Sequence, residues 1–415
     1  MRTPHTGHPS HAIRDGHHIR LLEGGQAYFP ALMAAIDKAR SQVHLETYIF
    51  DFHGAGAEVA HALMRAAQRG VRVWVVVDGV GSGPLSEAWR EKLAQAGVDW
   101  RVYSPLGSLG LLIPSRWRRL HRKLCVVDGQ VAFCGGINIL DDWFDPHHGT
   151  LERPRLDFAV AATGALVQQV QETTAQLWWR MQAVRHVRQR HFPEAFSSFK
   201  AAGLHLPWTD EQDPQERPRR VARAGLLLRD NWRHRGQIEK AYCKAIGLAR
   251  HEIVIANAYF VPGRKVRRAL IHAASRGVRV RLLLQGRYEY FMQFHAVRPV
   301  YSSLLAAGVE IHEYTASFLH AKVAVIDAHH DRPWATVGSS NLDPISLLMA
   351  REANVVVADG PFAQQLHDRL VRAIEEESTP IAADVFADRP RLQRALDWGA
   401  YGVMRLALFL TGKRY

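Results

Sequence analysis

Two stretches of the chain carry the same three polar side chains at the same spacing. His121, Lys123 and Asp128 lie in LHRKLCVVDG, and His320, Lys322 and Asp327 lie in LHAKVAVIDA, with the histidines 199 residues apart. A neutral imidazole can attack phosphorus, and a protonated one can protonate a leaving alcohol. Free imidazoles titrate near ~6.5, so two that share one proton supply both forms at neutral pH. Lysine suits a phosphodiester as a compact point charge. Each motif runs on to glycine and asparagine: Gly135, Gly136 and Asn138 in the first, Gly338, Ser339 and Asn341 in the second. Glycine lets backbone approach a ligand closely, and an asparagine amide can donate to an anion. No carboxylate cluster with metal-ligand spacing accompanies either motif, so this chemistry requires no metal and no cofactor. The pattern predicts phosphodiester chemistry in which each motif is half of one active site.

The elements that position the motifs repeat as well. VHLETYIF, AAQRGVRVWVVVDG and LAQAGVDWRVY precede the first motif; IVIANAYF, AASRGVRVRLLLQG and LLAAGVEIHEY precede the second in the same order. VRVWVVVDG and VRVRLLLQG are short β-branched runs ending at glycine, as buried strands do. EVAHALMRAAQRG and KVRRALIHAASRG have helical apolar spacing with glycine at the C-cap. Strand, helix, strand, helix, strand in each half predicts an α/β fold, two duplicated domains with mostly parallel sheets flanked by helices and the site at their interface. The expected boundaries are a flexible arm at 1–20, domains at 21–205 and 223–390, a proline- and charge-rich linker at 206–222 and an amphipathic tail at 391–415.

At 415 residues the chain is long enough for two domains, each with its own core. A formal charge of +13 implies a polyanionic partner, either nucleic acid or an anionic membrane surface. Three cysteines without a CxxC pair argue against a disulfide framework or a structural zinc, and fit a reducing compartment. MRTPHTGHPSHAIRDGHH has no apolar run, so no signal peptide is expected, and its histidines lack metal-ligand spacing.

HxK(x)4D followed by G-(G/S)-x-N, present twice, resembles the phospholipase D superfamily. The resemblance implies a phosphohistidine intermediate, with His121 and His320 as nucleophile and acid/base. It implies phosphoryl binding by Lys123, Lys322, Asn138 and Asn341, and places Asp157 and Glu352 where the family often has a histidine-orienting carboxylate. Asp128 and Asp327 complete the motifs. Gly136 departs from the serine that many members carry and that Ser339 supplies in the other half. Length and the paired glycines are similar to the cardiolipin synthase branch. That branch implies transfer of a phosphatidyl group from phosphatidylglycerol to a second lipid alcohol, with glycerol released. The alternative is a hydrolytic phospholipase or nuclease with water as acceptor. The implied partner is an anionic membrane containing phosphatidylglycerol and cardiolipin, with no nucleic acid expected, and a peripheral place on the cytoplasmic face.

Two segments are candidates for that membrane contact. Leu93 and Leu304 align at an offset of 211 and the histidines at 199, so the first half carries 12 extra residues between Tyr103 and His121. There Leu109, Leu111, Leu112 and Ile113 would dip among acyl chains, Arg116, Arg118 and Arg119 would hold phosphates, and Trp117 would sit at the interface. The competing expectation is a loop packed on its own domain. The tail, WGAYGVMRLALFLTGKRY, is too short and too charged to span a bilayer, which leaves a docking helix or one lying in the interface. Trp178 and Trp179 are expected in the core.

Overall fold

The computed structural model describes residues 13–107, 114–145, 148–188, 197, 221–230, 234–287, 291–343 and 350–410. The first half runs β1 (Arg14–Glu23), α1 (Gly24–Lys38), β2 (Gln42–Thr47), α2 (Ala55–Gln68), β3 (Arg72–Asp78), α3 (Glu87–Ala96), β4 (Val98–Tyr103), β5 (Arg119–Leu120), β6 (Lys123–Val127), β7 (Val131–Gly135), β8 (Phe144–Asp145), β9 (Gly149–Thr150), β10 (Phe158–Gly164) and α4 (Ala165–Arg188). The second runs β11 (Ala222–Arg229), α5 (Gln237–Leu248), β12 (Glu252–Asn257), α6 (Arg264–Ser275), β13 (Arg279–Gln285), α7 (Phe291–Leu305), β14 (Glu310–Tyr314), β15 (Lys322–Ile326), β16 (Trp334–Gly338), β17 (Ala350–Ala358) and α8 (Gly360–Glu376). β18 (Ser378–Pro380), α9 (Ala383–Ala387) and α10 (Arg391–Leu410) follow. Gly70 and Gly277, at matched helix ends, have φ of 89° and 85°, the left-handed C-cap that the glycines predicted.

Each half orders its strands alike, and one sheet crosses both: β18-β14-β13-β12-β15-β16-β17-β11-β1-β10-β7-β6-β2-β3-β4. The α/β duplication is as expected, but the sheet is mixed. β2, β3 and β4 are parallel, as are β12, β13 and β14, because helices cross between them. β6 and β15 each turn tightly into their antiparallel successors and pair antiparallel with β2 and β12.

The boundaries differ from expectation at two places. Residues 14–20, assigned to the arm, are most of β1, which pairs with β11 and joins the halves at the middle of the sheet. Histidines and charge hid this strand: His17 is fully buried and its Nδ1 accepts from the Leu166 N–H at the start of α4, while Arg14, Asp15, Gly16 and Arg20 are exposed. Of the expected linker, residues 206–220 lie outside the described residues, and Ala222 already opens β11. The cores also differ from one per half. α1 and α2 cover a first-half core and α5 and α6 a second-half core, whereas α4 and α8 cover a third, shared by β1, β7, β10, β11, β15, β16 and β17. Trp178 is buried and Trp179 packs beside it, as expected.

Candidate active site

Each histidine enters the site on a short stretch of chain that pairs with the other half. β5 runs parallel to β17, with Arg351 opposite Leu120, and the His121 N–H donates to the Arg351 carbonyl at 3.0 Å. The counterpart is a bridge between Leu156 and Leu319, where the His320 N–H donates to the Leu156 carbonyl at 2.9 Å. This crossing exchanges the carboxylates. His121 Nδ1 lies 3.0 Å from Glu352 Oε1, and His320 Nδ1 lies 2.6 Å from Asp157 Oδ2. Each imidazole is therefore oriented by a carboxylate of the opposite half, and each Nε2 is left for chemistry.

The two lysines beside these partly buried histidines are themselves buried. Lys123 Nζ donates to the His121 carbonyl at 2.7 Å, and Lys322 Nζ donates to the His320 carbonyl, both across the i to i+2 spacing of a strand. Burial, then the charge of Lys322, brings Lys123 down to about 7. Burial lowers His121 against the pull of Glu352, and burial with Lys322 and Lys123 holds His320 well below its ordinary range. Burial pushes Asp157 up to about 7 against the attraction of Lys322. Both shifts favour the neutral imidazole in the free site, and the two lysines repel each other there; a bound anion would relieve that repulsion and let one imidazole hold a proton.

This arrangement has a pH consequence. Above pH 7 the free site loses the proton of Lys123 and that of Asp157, so its net positive charge falls on both counts. Sulfate, whose own charge is constant in that range, should bind with proton uptake. Its affinity should fall by about tenfold per pH unit for each proton taken up. Calorimetric titration at pH 6.5, 7.5 and 8.5 reads this directly, and a pH-independent affinity would mean that these groups do not meet the anion.

Asp128 and Asp327, grouped with the reactive side chains in the sequence, stand elsewhere. Each follows the five residues of β6 or β15, at the strand end opposite the histidine. Both have left-handed backbone, with φ of 52° and 50°. Asp128 accepts from the backbone of Arg40, Ser41 and Gln42, each at 2.8 Å, and Asp327 from that of Arg250, His251 and Glu252, each at 2.9 Å. They clamp the turn between a helix and the strand beside the motif, so their place is structural.

Ser339 and Gly136 differ in what they hold. The Ser339 hydroxyl donates to Glu352 and accepts from the Ala353 N–H at 3.1 Å, so it acts through the carboxylate behind His121. A Cβ on Gly136 would clash with Asp157 Oδ1 and lie only 2.8 Å from Oδ2, closer than van der Waals contact allows. Asn138 accepts from the Ile49 N–H at 3.2 Å, and the buried Asn341 amide oxygen has no hydrogen-bond partner among the described residues. Tyr48, which the sequence reading passed over, sets its ring edge-on to His121 at 4.9 Å with Lys123 Nζ at 5.5 Å. Its signal was a mismatch between the halves, since Ala258 holds the matching place.

In the 12-residue insertion, Leu109, Leu111, Leu112 and Ile113 lie outside the described residues. Arg116 donates to the Leu106 carbonyl at 2.7 Å, while Arg119 pairs with the fully buried Asp78 at 3.0 Å and donates to the Ser104 carbonyl. These two arginines stitch the loop to its own domain. Trp117 is half-buried, which leaves Arg118 as the exposed cation of the three.

Comparison with known proteins gives a consistent result. The family model described as cardiolipin synthase, PLD-like domain matches residues 32–178 and 242–374, one segment in each half. Cardiolipin synthase B of Escherichia coli K12 is 38% identical over 368 residues, covering 86% of this chain and 80% of that protein. A cardiolipin synthase of Geobacillus kaustophilus is 31% identical over 386 residues, covering 92% and 70%. Among solved structures, a phosphatidylserine synthase of Haemophilus influenzae superposes with a TM-score of 0.66 at 12% identity, covering 94% of each chain, a likeness of fold.

Proposed function

Because this chain belongs to the cardiolipin synthase family of phospholipase D-like phosphatidyltransferases, we propose that it makes cardiolipin from phosphatidylglycerol through a phosphohistidine. In the first step one neutral Nε2 attacks phosphorus, the bond from phosphorus to the glycerol oxygen breaks, and the other histidine, protonated at Nε2, gives the glycerol its proton. In the second step that histidine takes the proton of an incoming lipid hydroxyl, whose oxygen displaces the first histidine from phosphorus. Lys123 and Lys322 hold the phosphoryl oxygens, and Asn138 and Asn341 lie at the matched offset to donate to them. The observation that carries this reading is the crossed pairing of each partly buried histidine with a buried carboxylate of the other half, at 3.0 and 2.6 Å. Purified protein with phosphatidylglycerol vesicles should release glycerol and form cardiolipin in equal amounts. Glycerol released with phosphatidic acid and no cardiolipin would make it a hydrolase, and cleavage of plasmid DNA a nuclease.

The proposed membrane contact is the outer face of α10. His295 meets Asp397 at 2.7 Å and Tyr301 packs on Phe386, so α10 runs antiparallel along α7 and its C-terminal end heads toward the C-terminal end of β13, the end of the sheet where the site lies. Asp397 and Ala400 face the domain, while Leu392, Leu396 and Val403 recur at helical spacing on the exposed side, with Trp398 62% exposed at its edge. Among the described residues no helix is long and apolar enough to cross a membrane. A helix lying in the interface of an anionic bilayer fits this pattern. Leu392→Asp, Leu396→Asp and Val403→Asp together should weaken binding to phosphatidylglycerol vesicles at least tenfold and leave hydrolysis of a small soluble phosphodiester unchanged. Undiminished vesicle binding would move the contact to the insertion around Arg118.

A further inference from the structure

The strand that follows His320, β15, ends at a second cluster of histidines, remote from the reactive pair. Beyond Asp327, the turn into β16 carries His329 and His330, and α8 presents His367 and Asp368 to it. His329 Nε2 lies 3.2 Å from His367 Nδ1 and 3.6 Å from Asp368 Oδ1, and His367 Nδ1 lies 3.1 Å from that same oxygen. A tetrahedral ion with bonds near ~2.0 Å sets its ligand atoms about 3.3 Å apart. The triangle matches one face of such a tetrahedron.

The proton arrangement also fits. His367 Nε2 lies 2.7 Å from Glu252 Oε2, a carboxylate itself held by Arg281 at 2.7 Å. A carboxylate only accepts, so Nε2 carries a hydrogen toward Glu252, and Nδ1 is the ring atom that faces His329 and Asp368. A carboxylate behind the far nitrogen is the usual support of a metal-binding imidazole. Three candidate ligand atoms then converge, and a divalent cation that displaces any proton on Nδ1 would meet all three at once. The turn is held in place beforehand, by the backbone clamp of Asp327 and by the His330 ring stacked on His251 at 3.6 Å. His329 and Asp368 are exposed, so an ion can enter from solvent.

We propose that His329, His367 and Asp368 bind a zinc-class transition-metal ion, with water in the fourth position, and that the ion clips the β15–β16 turn to α8. Nothing in the phosphoryl chemistry requires this ion. Its role is to fasten the second half at the strand end opposite His320.

The test uses the full chain with Zn2+ in thermal melts and Co2+ in visible absorption. His329→Ala removes one exposed ligand at a turn, so it should fold normally without metal. Zn2+ should raise the melting temperature of wild type, and His329→Ala and Asp368→Asn should each need at least tenfold more Zn2+ for the same shift. Co2+ should give a tetrahedral-type absorption in wild type that His329→Ala loses. The N-terminal histidines are present in every variant and cancel in the comparison. Equal zinc-induced shifts in wild type and His329→Ala, or no shift in wild type, would overturn the proposal and leave His367 as a salt-bridging residue.

Discussion

Replacing either His121 or His320 by alanine is expected to stop phosphatidyl transfer, with losses of roughly 10⁴ or more, and the double variant should be scarcely worse than either single one. Residues that act as one unit are far from additive, because removing any member leaves only the binding and electrostatic residue of catalysis. Here the unit is visible in the contacts: His121 is oriented by Glu352, and His320 by Asp157, so neither half holds a complete set. The two singles should differ in what they accumulate. The variant that keeps the attacking histidine can still form the phosphatidyl-enzyme with an activated leaving group that needs no acid, whereas the other forms none. Quenched mixtures with a radiolabelled phosphatidyl donor, followed by peptide mapping, separate the two. Near-normal turnover of either single variant with natural lipid would end the shared-site mechanism.

The arrangement of these side chains was largely legible in the chain because duplication makes coincidence visible. A single HxK is weak, but two at matched places in a repeated order of strands and helices located the pair, the lysines and the interface between the halves. What stayed hidden depended on contacts between segments far apart in sequence. Asp157 and Glu352 could be placed beside a histidine, but that each serves the histidine of the other half follows from β5 against β17 and Leu156 against Leu319. Spacing puts Asp128 five residues beyond Lys123 without telling that five residues of strand carry it about 17 Å away at ~3.3 Å per residue. The arginines of the insertion read as a basic patch, although Asp78, far off in sequence, takes Arg119. β1 was missed for a related reason, since its buried partner groups for His17 belong to α4.

The departure at Gly136 yields the other large effect. The two halves carry matched couples, glycine with aspartate (Gly136, Asp157) and serine with glutamate (Ser339, Glu352). In the second couple the hydroxyl supports the carboxylate; in the first, the carboxylate fills the space that a side chain at 136 would need. Gly136→Ser should therefore push Asp157 off the Nδ1 of His320. Losing the carboxylate that fixes an imidazole costs roughly 10⁴ in the best-studied triad, and a displaced one should cost about 10² to 10³. The reverse change, Ser339→Gly, removes one hydrogen bond to a charged group, about 1.5–3 kcal/mol, so it should cost about tenfold to a hundredfold. Adding a hydroxymethyl group in one half is thus expected to hurt more than deleting it in the other. The mechanism is checked by a cycle: if Gly136→Ser acts only through Asp157, it should cost almost nothing further in an Asp157→Ala background, where the crowded oxygens are gone. Measured as kcat/KM, with melting curves to establish that all three variants are folded, independent losses that multiply would show that Gly136 serves the phosphoryl group directly and not the carboxylate beside it.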